Sequence, residues 1–263
     1  MWAEKLFDLR DEVAVVTGAA SGLGRAIAEV LAQNGAHVAM LDIDGERLAA
    51  TASSLRGGGS SVEEVAVDVG DLAALRSAVD GVVRRAGKLD IMVANAGITG
   101  GPNVRTEAGA IENVDDALWA RVVQINLTST FAAVQAAARY MKQQRSGRII
   151  AVASIAGMRG DPMTGHAYAA SKGAVVNMVR QASWDLAPYN VLVNAIAPGP
   201  FRTNIAGGRI REAEVEKMFA ETVPLGRIAE ADEIKGLALL LASRSSSFIT
   251  GAVIPIDGGT TAI

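Results

Sequence analysis

Apolar and polar positions follow two alternating periods along this chain. Short, almost unbroken apolar runs rich in Val, Ile and Ala cover Val13 to Thr17, His37 to Asp42, Val62 to Val67, Leu89 to Ala94, Arg148 to Ala153, Val191 to Ile196 and Ala252 to Ile256. Between them lie longer stretches with apolar residues at helical spacing: Leu23 to Asn34, Glu46 to Leu55, Leu72 to Ala86, Asp115 to about Met141, Tyr168 to Leu186, Glu212 to Ala220 and Ala231 to Leu241. The first kind predicts strands and the second helices. Their alternation predicts βαβ units and an α/β fold with a seven-stranded parallel sheet. Strands that are apolar on successive positions, rather than on every other one, are expected where helices cover both faces. The one low-complexity patch, Arg56 to Ser61, is the length of an ordinary loop, so residues 1–263 are expected to form a single doubly wound domain.

Such a domain carries its ligand at the carboxyl ends of the strands, and the first of these ends is rich in glycine. Thr17-Gly18-Ala19-Ala20-Ser21-Gly22-Leu23-Gly24 leaves the first strand and opens the first helix. Gly18 suits the tight turn, Gly22 lets backbone approach a pyrophosphate, and Gly24 allows close packing of the helix, whose N-terminus offers amide donors and partial positive charge. Asp42, ending the second strand, is placed to accept from the adenosine ribose hydroxyls, while Asp44 is the better cap for the following helix. A 2′-phosphate would meet like charge at Asp42, and Ile43 beside it offers no cation, so NAD is the expected cofactor. Arg25 is the nearby cation that could partly answer a phosphate.

Composition narrows the partners. The 263 residues are 50% apolar and 20% charged, with a formal net charge of −3 and a pI near 5.5. No basic run exceeds the pair Arg84-Arg85, so neither nucleic acid nor an anionic membrane is expected as a partner. The sequence holds no cysteine, which excludes thiolate metal sites and thiol nucleophiles and fits the cytoplasm. Met1 to Arg10 lacks the apolar core of a signal peptide. His37 and His166 have no second ligand at short spacing, so no metal site is expected; His37 reads as structural and His166 as a solvated loop residue.

The glycine pattern Thr-Gly-x-x-x-Gly-x-Gly resembles that of the short-chain dehydrogenase/reductase family, and further motifs of that family follow in order. They are Asp68-Val69, Asn95-Ala96-Gly97, Asn126, Ser154, Tyr168-Ala169-Ala170-Ser171-Lys172, Pro198-Gly199 through Thr203, and Asp257-Gly258-Gly259, spanning roughly Asp8 to the C-terminus. The resemblance implies a Rossmann-type oxidoreductase that moves a hydride between a nicotinamide cofactor and a secondary alcohol or ketone. It implies cofactor contacts at Gly18, Ser21, Gly22, Leu23, Gly24, Asp42, Ile43, Asp68, Val69, Asn95, Ala96, Gly97, Tyr168, Lys172, Pro198, Gly199 and Thr203, with Asp68 and Val69 toward the adenine and Thr203 toward the nicotinamide carboxamide. It implies a catalytic set of Asn126, Ser154, Tyr168 and Lys172.

The chemistry of these residue types agrees. Tyr168 and Lys172 stand four apart and share a helix face. A free phenol titrates near 10, too high for a base at neutral pH, but an adjacent ammonium and a cationic nicotinamide favour the phenolate. By the resemblance, Lys172 also holds the nicotinamide ribose, Ser154 bonds the substrate oxygen, and Asn126 fixes a water linking Lys172 to solvent. The substrate wall is expected from Ile155 to His166, from Pro200 to Ile205 and on to about Val223, mostly apolar but with Arg159, Asp161 and Arg209. A neutral, hydrophobic or cyclic alcohol suits it. The alternatives are an NADPH-dependent 3-oxoacyl reductase, disfavoured by Asp42, Ser21 and the net negative charge, and an inactive cofactor-binding protein, disfavoured by the complete catalytic set. Ile98 to Asn113 and the Ser154–Tyr168 connection are longer than the family pattern. The resemblance further implies a homotetramer, paired through the helices from Asp115 and from Tyr168, with the last strand and Thr260 to Ile263 as a second interface.

Overall fold

The computed structural model describes residues 3–262 apart from 206, 207, 209 and 211; the expectations placed on Arg209 and Ile263 lie outside the described residues. In chain order the elements are α1 (Ala3–Leu6), β1 (Val13–Thr17), α2 (Gly22–Gln33), β2 (His37–Asp42), α3 (Gly45–Gly57), β3 (Val62–Ala66), α4 (Leu72–Ala86) and β4 (Ile91–Ala94). Then follow α5 (Asp116–Val123), α6 (Ser129–Gln144), β5 (Gly147–Val152), α7 (His166–Leu186), β6 (Val191–Pro198), β7 (Phe201–Arg202), α8 (Ala213–Ala220), β8 (Ala229–Glu230), α9 (Lys235–Ala242) and β9 (Val253–Ile256). Short 3-10 turns fill several of the connections.

Seven strands form one sheet in the order β3-β2-β1-β4-β5-β6-β9, every neighbouring pair parallel. Because the interior strands are buried on both faces, successive residues serve different cores. Ala14, Val16, Val38, Met40, Val93 and Ile150 pack with α2 and α9 on one side; Val13, Val15, Leu41, Met92, Ile149 and Val193 pack with α4, α6 and α7 on the other. This is why the strands read as apolar runs. The edge strand β3 departs from the expectation: its exposure alternates, and the adjacent Glu63 and Glu64, on opposite faces, pair with Arg85 and Arg56, as suits a strand with one open edge.

The strand order reverses between β1 and β4, so the carboxyl ends of β1, β4 and β5 stand side by side, in registers Val16↔Val93 and Ala94↔Ala151. That reversal opens the crevice in which such sheets hold ligands, and it aligns Gly18, Asn95 and Ser154 along one rim.

Two further local features differ from the sequence reading. The helix expected from Asp115 to Met141 is interrupted by a π-helical segment, Gln124–Thr128, between α5 and α6. A wide turn leaves main-chain carbonyls without their usual partners, and here the hydroxyls of Ser129 and Thr130 donate to the carbonyls of Ile125 and Asn126. A second, two-stranded parallel sheet of β7 and β8 was not expected, its strands being two residues each. Among the described residues, no helix is long and apolar enough to cross a membrane.

Candidate active site

The glycine turn leaves β1 with Gly18 at φ +68° and Gly22 at φ +56°, backbone that an L side chain rarely adopts. A Cβ on Gly24 would overlap the carbonyl oxygen of Gly18 and the Asn95 amide nitrogen, so this glycine is what lets α2 start against β1. Ser21, the N-cap residue of α2, makes no side-chain cap hydrogen bond. The first-turn amides of α2 therefore lack a side-chain acceptor and face the crevice as anion donors. The turn thus fits a pyrophosphate: its close approach requires glycines and its helix end supplies unclaimed N–H groups.

Asn95 and Thr17 lock the turn to the next strand. The Asn95 side-chain amide donates to the carbonyls of Thr17 (2.9 Å) and Gly18 (3.2 Å), and the Thr17 hydroxyl accepts from the amides of Asn95 (3.0 Å) and Ala96 (3.1 Å). Asn95, read from sequence as a cofactor contact, has both amide protons engaged by the turn itself. The Asn95 amide thereby braces the cradle.

Asp42 faces the same turn. One carboxylate oxygen accepts from the Ala20 amide at 2.9 Å and the other from the Asp44 amide at 3.0 Å. The group is therefore fixed in place rather than wholly free as the sequence suggested, with two of roughly four lone-pair positions remaining. Asp44 caps α3 by accepting from the Arg47 amide at 3.0 Å, and Arg47 lies 3.4 Å from the Asp44 carboxylate. Ile43 is 67% exposed beside Asp42, and Arg25 is exposed on α2. Asp68 is exposed and accepts from the Gly70 amide, next to buried Val69. On the far rim, Thr203 is buried, with Cβ and Cγ2 3.4 and 3.5 Å from where a Cβ of Gly22 would stand. Pro198 ends β6 opposite Ile256, and the Gly199 amide donates to the Ile256 carbonyl.

The four residues expected to do chemistry converge past β5. Ser154 is buried just beyond that strand and caps the 3-10 turn Ile155–Gly157, its hydroxyl accepting from the Ala156 amide at 3.2 Å. Tyr168 lies in the first turn of α7, half-buried, with the Lys172 ammonium 5.8 Å from its ring centroid. Lys172 is only 4% exposed and donates to the Val152 carbonyl at 2.7 Å. Burial holds its pKa down at about 8. Burial also pushes the Tyr168 phenol above its ordinary range; the Ser154 hydroxyl opposes this and the Asp161 carboxylate adds to it. The sequence argument emphasised the ammonium and missed desolvation, which is the larger effect in the protein alone.

Asn126 sits in the π-helical segment, fully buried. Its carboxamide accepts from the Ile98 amide (2.8 Å), donates to the Ile98 carbonyl (2.9 Å) and donates to the Ser171 hydroxyl (3.3 Å). The side chain thus holds Gly97 and Ile98 in place. A Cβ on Gly97 would lie 3.3 Å from the Asn126 oxygen and 3.5 Å from the Lys172 nitrogen, so only glycine leaves that corner open. The extra residues after Ile98 pack on the start of α7: Gly100 lies against Tyr168, Gly165 against the carbonyls of Gly100 and Pro102, and the Val104 amide donates to the Thr164 carbonyl. His166 begins α7 rather than lying in a loop. His37 bonds the Ser61 hydroxyl at 2.8 Å, away from the site.

Comparison with known proteins bears on the family and the fold. The family described as enoyl-(acyl carrier protein) reductase matches residues 18–261. A trans-4-hydroxycyclohexanecarboxylate dehydrogenase of Sinomonas cyclohexanicum is 40% identical over 258 residues, covering 96% of this chain and 93% of the relative. A cyclohexanol dehydrogenase of Rhodococcus sp. strain TK6 is 39% identical, covering 96% and 97%. The crystal structure of a gluconate 5-dehydrogenase from Burkholderia cenocepacia J2315, in complex with NADP and tartrate, superposes with a TM-score of 0.90 at 32% identity and covers 100% of both chains.

Proposed function

Since the chain belongs to the short-chain dehydrogenase/reductase family of nicotinamide-dependent oxidoreductases, we propose that it is an NAD-dependent dehydrogenase of neutral secondary alcohols with a hydrophobic or cyclic skeleton, acting as one domain over residues 1–263 in the cytoplasm. The observation that carries this reading is the meeting, at one end of the sheet, of the glycine turn and Asp42 with Ser154, Tyr168 and Lys172. The cyclohexanol-type relatives support the substrate class, and the apolar connection after Ser154 (Ile155, Ala156, Met158) suits it.

Gly18, Ser21, Gly22, Leu23 and Gly24 receive the pyrophosphate; Asp42, Ile43, Asp68 and Val69 the adenosine; Asn95, Ala96 and Gly97 the passage between the halves; and Pro198, Gly199 and Thr203 the carboxamide end. When bound, the nicotinamide ring supplies the hydride donor or acceptor. Tyr168, holding its proton at neutral pH, is ready to donate to a ketone oxygen. For alcohol oxidation it removes the hydroxyl proton as phenolate, a state favoured by the Lys172 ammonium and any further positive charge at the ring. The Ser154 hydroxyl positions the substrate oxygen. Asn126 acts on the site through Ile98 and Gly97.

Asp42 selects NAD. At roughly 4 Å and an effective dielectric near 20, each unit of like charge costs on the order of 4 kcal/mol before relaxation and salt reduce it. Half of that is still about 30-fold. The test is kcat/KM for NAD and NADP with a panel of cyclic alcohols, a carboxylate-bearing analogue and a 3-oxoacyl thioester, in the parent and in Asp42→Ala. NAD preference that falls at least about tenfold in the variant is expected. Parental preference for NADP, or best turnover on the thioester, overturns the reading.

The reading includes a homotetramer. Trp119 and Phe131 on α5 and α6, Trp184 on α7 (82% exposed) and Phe248 are large apolar residues on the surface of the single chain, and β9 leaves Val253, Ile254 and Ile256 partly exposed at a sheet edge. Thr260 is buried within the single chain, its hydroxyl donating to the Asp257 carbonyl.

A further inference from the structure

Helix α3 buries Leu48, Thr51, Ala52 and Leu55. Thr51 is the polar member of that row and is 5% exposed. A hydroxyl inside a helix commonly donates back to the carbonyl four residues earlier. The Thr51 hydroxyl instead leaves its own helix, crosses to the glycine turn and donates to the Ala20 carbonyl at 3.2 Å.

Ala20, itself buried, is consequently held from both ends. Its amide donates to one oxygen of Asp42 at 2.9 Å, and among the described residues the Thr51 hydroxyl is the one donor to its carbonyl. The Ala20 carbonyl and the Ser21 N–H belong to a single planar trans peptide, in which they point in opposite directions. Fixing the carbonyl on α3 therefore fixes the Ser21 N–H away from α3. That N–H has no acceptor among the described residues. Ser21 is the N-cap residue of α2, in extended backbone at φ −157° and ψ 173°, so its amide joins the unclaimed donors at that helix end.

We propose that Thr51 is a positioning residue for the dinucleotide: through the Ala20–Ser21 peptide it aims the Ser21 amide at the pyrophosphate, and through Ala20 it keeps that amide in register with the Asp42 carboxylate. The inference rests on the placing of pyrophosphate and adenosine given under the proposed function. Thr51 acts through Ala20 and need not touch the cofactor. Its hydroxyl carries the effect, so Ser can replace it, whereas Val, of nearly the same shape, cannot.

The test compares the parent with Thr51→Val, Thr51→Ala and Thr51→Ser, at a temperature where guanidinium chloride titrations show each variant folded. NADH binding is followed by fluorescence, ADP-ribose binding by calorimetry, and kcat and KM for NAD with the best cyclic alcohol. In Thr51→Val the dissociation constants for NADH and ADP-ribose are expected to rise about tenfold and the KM for NAD with them, while kcat at saturating NAD falls by less than about threefold. Thr51→Ser stays within about threefold of the parent throughout. Thr51→Ala, which lacks the hydroxyl and adds no bulk, is expected to match Thr51→Val and decides the question if Thr51→Val does not fold. In an Asp42→Ala background the loss caused by Thr51→Val is expected to shrink to less than about threefold, because both side chains hold the same residue. Variants without the hydroxyl that lose stability yet bind NADH and ADP-ribose as the parent does overturn the proposal, since Thr51 is then a core residue only. So does Thr51→Ser binding as weakly as Thr51→Val, and an undiminished loss in the Asp42→Ala background overturns the link to Asp42. If the parent prefers NADP or oxidises no secondary alcohol, the functional reading fails, while the ADP-ribose affinities, which depend on the pyrophosphate common to both cofactors, still decide the role of Thr51.

Discussion

In the proposed mechanism Lys172 sets catalysis and stability against one another. Its ammonium is buried, its one bond is to the Val152 carbonyl, and burial alone lowers its pKa from 10.5 to about 8. At about 1.4 kcal/mol per pKa unit, keeping the charge at neutral pH costs the fold roughly 3 kcal/mol. The sign follows from proton counts: between pH 8 and 10.5 the unfolded chain binds more protons at this residue than the folded one, so stability rises with pH across that window. Tyr168 works the other way above pH 10, because its raised pKa favours the protonated phenol in the fold and stability falls as the unfolded phenol ionises. The clean range is therefore about pH 8 to 10, over which Lys172 contributes a rise of about 2 kcal/mol. In Lys172→Met that rise disappears. At pH 7 the variant escapes the buried charge but leaves the Val152 carbonyl without its donor, a loss of about 1–3 kcal/mol, so it ranges from equal stability to about 2 kcal/mol more stable. Guanidinium chloride titrations at fixed protein concentration, without cofactor, measure this directly. A parent-minus-variant difference that stays constant within about 0.5 kcal/mol from pH 8 to 10 refutes the reasoning.

Gly24→Ala drives a methyl into the Gly18 carbonyl and the Asn95 amide; thermal melts and NADH titration are expected to show a loss of roughly 3 kcal/mol or a cofactor affinity weaker by at least about 100-fold. Gly57→Ala, where an added Cβ meets nothing within 4 Å, serves as the control and is expected to be neutral or slightly stabilising. For the assembly, light scattering at micromolar concentration is expected to give a mass well above the 27.1 kDa monomer, reduced in Trp184→Glu; a parental monomer refutes the tetramer.

The sheet was legible because its strands are buried on both faces, leaving an apolar signature that no turn chemistry obscures. Val13 to Thr17 and His37 to Asp42 were read to the residue. The π-helical segment at Asn126 was not legible, since the extra residue it accommodates leaves the apolar rhythm of α5 and α6 nearly unchanged. Nor was the β7–β8 pair, whose residues are too few to carry a period. Within the site, the glycine turn was read from residue types and Tyr168, Lys172 and Ser154 from the family resemblance, but neither gave their surroundings. That Asn95 is occupied by Thr17 and Gly18, that Asp42 is braced by Ala20 and Asp44, and that desolvation outweighs the ammonium at Tyr168 all depend on contacts distant in sequence. Thr51 was passed over for the same reason: nothing along the chain joins it to Ala20.

The central claim is that Tyr168 transfers the proton in an NAD-linked alcohol oxidation. Steady-state NADH formation at 340 nm, with the best alcohol of a cyclic panel, in the parent and in Tyr168→Phe, tests it most directly, alongside NADH binding by fluorescence. The account predicts turnover in the variant lower by about 10²–10⁴, with NADH affinity within about threefold of the parent, because the ring stays and only the transferable proton is lost. Near-parental turnover in Tyr168→Phe would contradict it.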